Sequence, residues 1–500
     1  MALEEPPPLL SSEPRWYEEH AALLYSTVKW ALLGALAGLC VGLATKLFLW
    51  ALFSADAWTA KVTNYYFLLP LALPVCVWLI CTFAPTARGH GTEAVITAIH
   101  KSYGKVNLPV APIKLLATVI TLAAGGSVGK EGPCAQIGAA VASGFADLMR
   151  LNNEDRRRLV ICGVAAGFAA VFGTPISGAL FGVEVLYLGR IEYPVLFPCI
   201  VAGIIAHLVC GTPPPVPILR ASVFYIPAYI LVLLSIGAGA WFGIVALMLI
   251  ESMRNLEKWL RKWVERYPYR VAFGGGLFLV ALYYLLARVG LAPHNNYAQL
   301  GLQTTGFALM GASIPAFAYL FKIISTSVTL ETGGSGGIIT PVFFIGSTAG
   351  WAFAHLFHLS RGAFAAFGFI SVMAAAANTP IAAAVMGLEI LPMPLSVYAA
   401  LCACTAYLTV GHRSVYASQK LGFVKSMALF APTEIPIGEL RASQIKIRGE
   451  SQVASLARKA RSLRSKRFLS KRFLQPPRKT RQSSDLEGDA GDPSGSSERS

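Results

Sequence analysis

Gly125-Gly126-Ser127-Val128-Gly129-Lys130-Glu131-Gly132-Pro133 has a second version later in the chain, Gly333-Gly334-Ser335-Gly336-Gly337-Ile338-Ile339-Thr340-Pro341. Both read GGSxGxxxP, and both continue with Ile-Gly four and five residues after the proline. A second pair follows in the same order. Thr174-Pro175-Ile176 leads to Glu184 and Thr379-Pro380-Ile381 leads to Glu389, each glutamate nine residues past its proline. The paired prolines are separated by 42 residues in one half and 39 in the other. One such match is compatible with chance in a chain rich in Gly and Ala. Two in the same order, at nearly equal separation, indicate a duplicated fold. Duplicated transporters carry broken helices at matching points of their repeats, and the binding site lies where the repeats meet.

The composition agrees. Over 500 residues, 55% are hydrophobic and only 14% charged, about half the charged share of a soluble protein, and mean hydropathy is +0.57. This excludes disordered, collagenous and small disulfide-stapled classes and leaves a polytopic membrane protein in a lipid bilayer. The net charge of +16 is uneven: Arg441–Arg481 has a local balance of +13, and the last residues, Gln482–Ser500, have −4. Basic residues next to the last span hold that end on the cytoplasmic side and touch anionic headgroups, which is preferred here over any nucleic-acid role. The nine cysteines are scattered through apolar stretches without CxxC spacing or a His cluster, so they read as buried small hydrophobes and indicate neither a metal site nor a disulfide framework. The first twenty residues lack the basic start and short apolar core of a cleaved signal peptide.

Apolar stretches begin at Lys29–Phe53 and Phe67–Ala84 and continue, through Tyr225–Ile250 and Val271–Val289, to Leu395–Val410. About 20 residues are needed to cross as a helix. Several stretches are shorter, or broken by Gly and Pro, and irregular backbone at membrane depth survives only against protein or a water-filled cavity. The expected organisation is an N-terminal cytoplasmic segment over 1–24, a first half of the membrane domain over 25–210, a second half over 211–425, and a basic then acidic, largely disordered cytoplasmic tail over 426–500.

Glycine runs that enter a helix leave the first-turn N–H groups unpaired and, with the helix dipole, form an anion site without a basic side chain. Two inverted halves would aim two such helix starts at one spot. The alternative is that the glycines only permit close helix packing. Glu131 lies inside the first loop, where an ionisable residue at membrane depth is costly and a functional candidate. Its carboxylate resembles the anion and can occupy the site until protonation releases it, which makes it a gate, a proton carrier or both. The alternative is a carboxylate paired with Lys130. The duplication of Glu184 and Glu389 argues for helix-end hydrogen bonding.

These residues resemble the CLC family of chloride channels and proton-coupled chloride transporters, of the prokaryotic type without paired nucleotide-binding domains. The GK/REGP signature stands at Gly129–Pro133, the second glycine loop at Gly336–Pro341, and a GxPxxGxLFxxE element runs from Gly173 through Glu184. Tyr416, in Arg413-Ser414-Val415-Tyr416, matches the family's anion-contacting tyrosine. The resemblance covers roughly residues 25–425. It implies an all-α polytopic membrane protein with two inverted-topology repeats of tilted, partly broken helices, assembled as a homodimer with one anion path per subunit. It also implies a bacterial inner membrane, both termini cytoplasmic, and no cofactor.

By the same resemblance Glu131 is the gating glutamate, and Gly129, Lys130, Gly132, the backbone amides of Ile338 and Ile339, and the hydroxyl of Tyr416 surround the anion. Three positions depart from the pattern. His90, in Gly89-His90-Gly91-Thr92-Glu93, stands where a Ser usually helps select chloride; either it faces the anion or it turns away and Thr92 supplies the hydroxyl. Val185 follows Glu184 where proton-coupled members carry an internal proton-transfer glutamate, and Ile339 stands where Phe is common. The expected function is transport of chloride or a related small anion, leaning to a channel because of Val185, with proton-coupled antiport as the alternative. A membrane-embedded enzyme would need a carboxylate cluster or metal site; Asp and Glu total 26, and no two cluster near the breaks.

Overall fold

Trp16–Thr59 forms one helix, α1, of 44 residues. At 1.5 Å per residue it is about 66 Å long, roughly twice the hydrocarbon thickness, so it tilts or projects beyond the bilayer. The structure, a computed structural model, describes residues 15–62, 64–211, 226–291, 297–393 and 395–448. In the first repeat α1 is followed by α2 (Leu69–Phe83), α3 (Thr92–Ser102), α4 (Val110–Ala123), α5 (Glu131–Leu148), α6 (Asn153–Phe172), α7 (Pro175–Glu184) and α8 (Leu196–Cys210). The second repeat runs α9 (Ala228–Arg266), α10 (Pro268–Arg288), α11 (Leu302–Leu309), α12 (Ala318–Glu331), α13 (Ile339–Leu356), α14 (Arg361–Ala377), α15 (Pro380–Ile390) and α16 (Leu395–Thr409). Among the described residues, six helical stretches are long and apolar enough to cross a membrane.

The repeats match in packing as well as in order. α1 lies on α8 and α6 as α9 lies on α16 and α14, and α5 packs on α6 as α13 packs on α14. Each of the latter crossings rests on a glycine pair, Gly138 with Gly163 and Gly346 with Gly368, where a Cβ would strike the partner's carbonyl. Helices of Ala and Gly approach this closely because no side chain intervenes. The breaks repeat too. α6 ends on Gly173 and α14 on Asn378, both left-handed, and a Thr-Pro then opens α7 and α15 with proline at the first helical position. The inverted-repeat, all-α architecture is therefore present. Its only strands are two-residue pieces among the described residues, including β1 (Tyr187–Leu188) parallel to β2 (Lys420–Leu421).

The structure differs from the sequence reading at both ends. The expected boundary at residue 24 falls inside α1, because the helix begins at Trp16, well before its apolar stretch. Beyond 425, the chain from Ala431 to Ile445 is part of the main unit. Ala431, Ile437 and Leu440 bury against Leu188 and Leu421, an apolar patch too small to be read from hydropathy. A separate small unit contains β3 (Leu429–Phe430) antiparallel to β4 (Lys446–Ile447). Most of the basic and acidic tail lies outside the described residues. The nine cysteines are free; Cys81 and Cys404 are exposed on apolar helices rather than buried.

Candidate functional site

The two glycine loops meet back to back. Gly129 N–H donates to the Gly337 carbonyl and Gly337 N–H to the Gly129 carbonyl, each at 2.7 Å. These are the same position in the two copies of the motif. Ser127 N–H donates to Thr329 Oγ1 at 3.1 Å, and Ser335 N–H to Thr121 Oγ1 at 3.0 Å, again an exchange between equivalent residues. The loops are thus fixed on a local two-fold axis, and each feeds directly into a helix start, α5 at Glu131 and α13 at Ile339.

The symmetry ends at the next side chain. Glu131, 1% exposed, reaches across to the start of α13. Its Oε1 accepts from Ile339 N–H at 2.5 Å, and its Oε2 accepts from Thr340 N–H at 3.1 Å and from the Thr340 hydroxyl at 2.7 Å. The equivalent of Glu131 in the second repeat is Ile339, which has no charge. Three donors at a helix N-terminus thus hold the Glu131 side chain, with no basic side chain among the hydrogen bonds. Gly337 is required here, since a Cβ on it would meet both the Glu131 carboxylate and the Gly132 backbone nitrogen.

Residues 71–411 match the "Voltage gated chloride channel" family. The chain belongs to the CLC family. It is similar to the "Chloride/fluoride channel protein" of Pseudomonas syringae pv. tomato, with 34% identity over 85% of this chain and 93% of that one. It is also similar to the "H(+)/Cl(-) exchange transporter ClcA" of Vibrio cholerae, with 27% identity over 62% of this chain and 68% of that one. Among solved structures, a CLC-type fluoride/proton antiporter superposes with a TM-score of 0.72 at 25% identity, covering 82% of this chain and all of the other. A slow cyanobacterial Cl−/H+ antiporter gives 0.64 at 22% identity over 76% of this chain and 94% of the other.

The remaining expected residues of this CLC chain divide into those beside the carboxylate and those turned from it. Lys130 is buried, but its ammonium lies over the rings of Phe53 and Phe172, at 5.7 and 5.9 Å, and forms no ion pair with Glu131. Gly132 packs its backbone under the His90 carbonyl and against Gly337. Ile338 and Ile339 are buried, and the amides that hold the carboxylate are those of Ile339 and Thr340. Tyr416 is 1% exposed, beside the Thr92 side chain and within electrostatic reach of Glu131. No hydrogen bond joins the His90 ring to the Glu131 carboxylate among the described residues. The ring's Nε2 is 3.7 Å from Glu331 Oε1, and its Nδ1 is buried with no hydrogen-bond partner among the described residues.

Three features were not found from the motifs alone. Thr340 adds a hydroxyl to the carboxylate's donors. Lys114 and Lys322, each fully buried and eleven residues before its glycine loop, donate to paired loop carbonyls: Lys114 to Ala87 and Gly89 at 3.1 and 2.7 Å, Lys322 to Tyr297 and Gln299 at the same two distances. A matching lysine at −11 in both copies was a readable signal. Third, a cavity of about 1870 Å³ opens against the site loops, lined among others by Arg88, His90, Glu93, Glu257, Glu331 and Arg413. Val185 is fully buried, and its carbonyl accepts from Gln419 Nε2 at 3.0 Å. No group of three or more His, Cys, Asp or Glu residues is placed to hold a metal among the described residues.

Proposed function

We propose that this CLC chain exchanges a small halide, chloride or fluoride, for protons, with Glu131 as the group for which both ions compete. The observation that carries this reading is the Glu131 carboxylate seated on the Ile339 amide and both Thr340 donors. Hydrogen bonds to a charged group contribute about 1.5–3 kcal/mol each. An anion that takes those donors must displace the carboxylate, and a buried carboxylate leaves most readily once it is neutral. Each vacancy is then tied to a proton. The names of similar proteins, a fluoride/proton antiporter and an H+/Cl− exchange transporter, fit the same chemistry.

A channel is the second reading, favoured by Val185, which puts a buried apolar side chain where proton-coupled members carry an acid. The proposal extends to a homodimer with one path per subunit, in a bacterial inner membrane. The basic stretch after Leu440 would face the cytoplasm. The test is purified full-length protein in liposomes, with halide efflux and external pH followed together. Proton uptake driven uphill by the halide gradient supports exchange; halide efflux that moves no protons uphill replaces it with a channel.

A further inference from the structure

The large cavity ends on two groups that no part of the anion site uses. Glu331 is the last residue of α12, in the second repeat, and His90 precedes α3 in the first. Their side chains are 14% and 17% exposed, and Glu331 Oε1 lies 3.7 Å from His90 Nε2. Both line the cavity wall. The other ring nitrogen, Nδ1, is buried without a partner among the described residues, an arrangement that a purely structural histidine would avoid. The loop itself is held rigid, because Lys114 grips the Gly89 carbonyl and the His90 carbonyl sits on Gly132, the residue after Glu131. One edge of the imidazole thus meets a carboxyl at the cavity, and the ring's own backbone abuts the gate.

We propose that Glu331 and His90 form a proton relay between the cavity and Glu131, replacing the acid that is absent at Val185. The inference rests on the exchange reading above. A proton taken up by the Glu331 carboxylate passes to His90 Nε2 and makes the ring an imidazolium; the ring then turns towards the anion path, gives that same proton to the Glu131 carboxylate, and turns back as the neutral tautomer it began as. One proton enters and one leaves, and no heavy-atom bond changes. A carboxyl–imidazole pair suits this task because each group can both accept and release a proton. The charged groups that act on the pair are Lys114 from α4 on His90, and Arg88 from the preceding turn and Glu257 from α9 on Glu331. Glu93 from α3 also lines the cavity and feels Glu257.

The test measures the ratio of proton uptake to halide efflux in liposomes for the full-length wild type, Glu331→Gln, Glu331→Asp and His90→Gln. The expected result is a ratio lowered at least about tenfold by Glu331→Gln and by His90→Gln, with Glu331→Asp restoring most of it. Halide efflux through Glu331→Gln should persist, which shows that the variant is folded. Wild-type ratios in both Glu331→Gln and His90→Gln would overturn the relay while leaving exchange intact. Equal loss of proton and halide flux in Glu331→Gln and Glu331→Asp would make Glu331 a structural residue and also overturn it. A wild type that pumps no protons removes the exchange reading, and the relay falls with it.

Discussion

Glu184 and Glu389 cap each other's helices. The Glu184 carboxylate, at the end of α7, accepts from Ile381 and Ala382 N–H at the start of α15, at 3.1 and 2.8 Å. The Glu389 carboxylate, in the last turn of α15, accepts from Ile176 and Ser177 N–H at the start of α7, both at 2.9 Å. Each negative charge sits at the positive end of the other helix, which satisfies first-turn donors that have no intrahelical partner.

Removing either carboxylate should therefore cost stability rather than selectivity. Glu184→Ala leaves two N–H groups of α15 without acceptors in a buried setting, at about 1–3 kcal/mol for each group left unsatisfied. Glu184 is 5% exposed whereas Glu389 is exposed, so removing Glu184 also leaves a packed space that its surroundings cannot readily fill. Thermal unfolding in detergent should show Glu184→Ala as the less stable variant, with halide selectivity of the surviving protein unchanged. Equal midpoints for the two variants would contradict the burial argument.

Glu131→Gln reproduces the neutral form of the carboxylate proposed as the gate. Halide flux in wild-type liposomes should rise as pH falls, because acid neutralises the carboxylate and frees the donors at the start of α13. The variant should hold the acid-like flux across the pH range and move no protons uphill. Retention of wild-type pH dependence would remove Glu131 from the gate.

Thr340→Val deletes one of the three donors to the carboxylate and keeps the volume. A hydrogen bond to a charged group is worth about 1.5–3 kcal/mol, equivalent to tenfold or more in occupancy. The gate should be held less tightly, so halide flux at neutral pH should increase. Flux measured at several pH values would locate the change: a gain at neutral pH with little change in acid is the expected pattern.

Tyr416→Phe tests whether the buried hydroxyl beside Thr92 belongs to the anion site. Losing one donor to a partly dehydrated anion should weaken halide binding by about one order of magnitude, measured calorimetrically, with folding preserved. An unchanged affinity would assign Tyr416 to packing.

The duplication was legible because equivalent residues keep equivalent jobs. The GGSxGxxxP copies become the Gly129–Gly337 exchange, and the two Thr-Pro-Ile elements become the Glu184–Glu389 caps. What was not legible depends on which atoms the two-fold axis brings together. Thr340 lies in a quoted motif, but its role appears only once α13 points at Glu131. For His90 the Gly89–Glu93 loop left two orientations open, towards the anion or away from it with Thr92 supplying the hydroxyl. Its approach to Glu331 was not legible, because no local pattern links two residues so far apart in the chain. The segment from Ala431 to Ile445 reads as polar tail because its few apolar residues find their partners outside it, among them Leu188, Leu421 and Val424.

The exchanged hydrogen bonds of Gly129 with Gly337 have a kinetic meaning. Many duplicated transporters work by rocking one repeat against the other around a fixed site. Here the repeats are stitched at that pivot by paired backbone bonds and by the Ser–Thr contacts beside them, so a swing of one half would tear the site it serves. With Glu131 as the proposed gate, the moving part would be reduced to a side chain a few bonds long. Side-chain reorientation takes picoseconds to nanoseconds where domain motion takes microseconds to milliseconds. On the exchange reading, turnover would be timed by proton arrival and ion dehydration, and slowing it by stiffening the scaffold should prove far harder than slowing a hinged carrier.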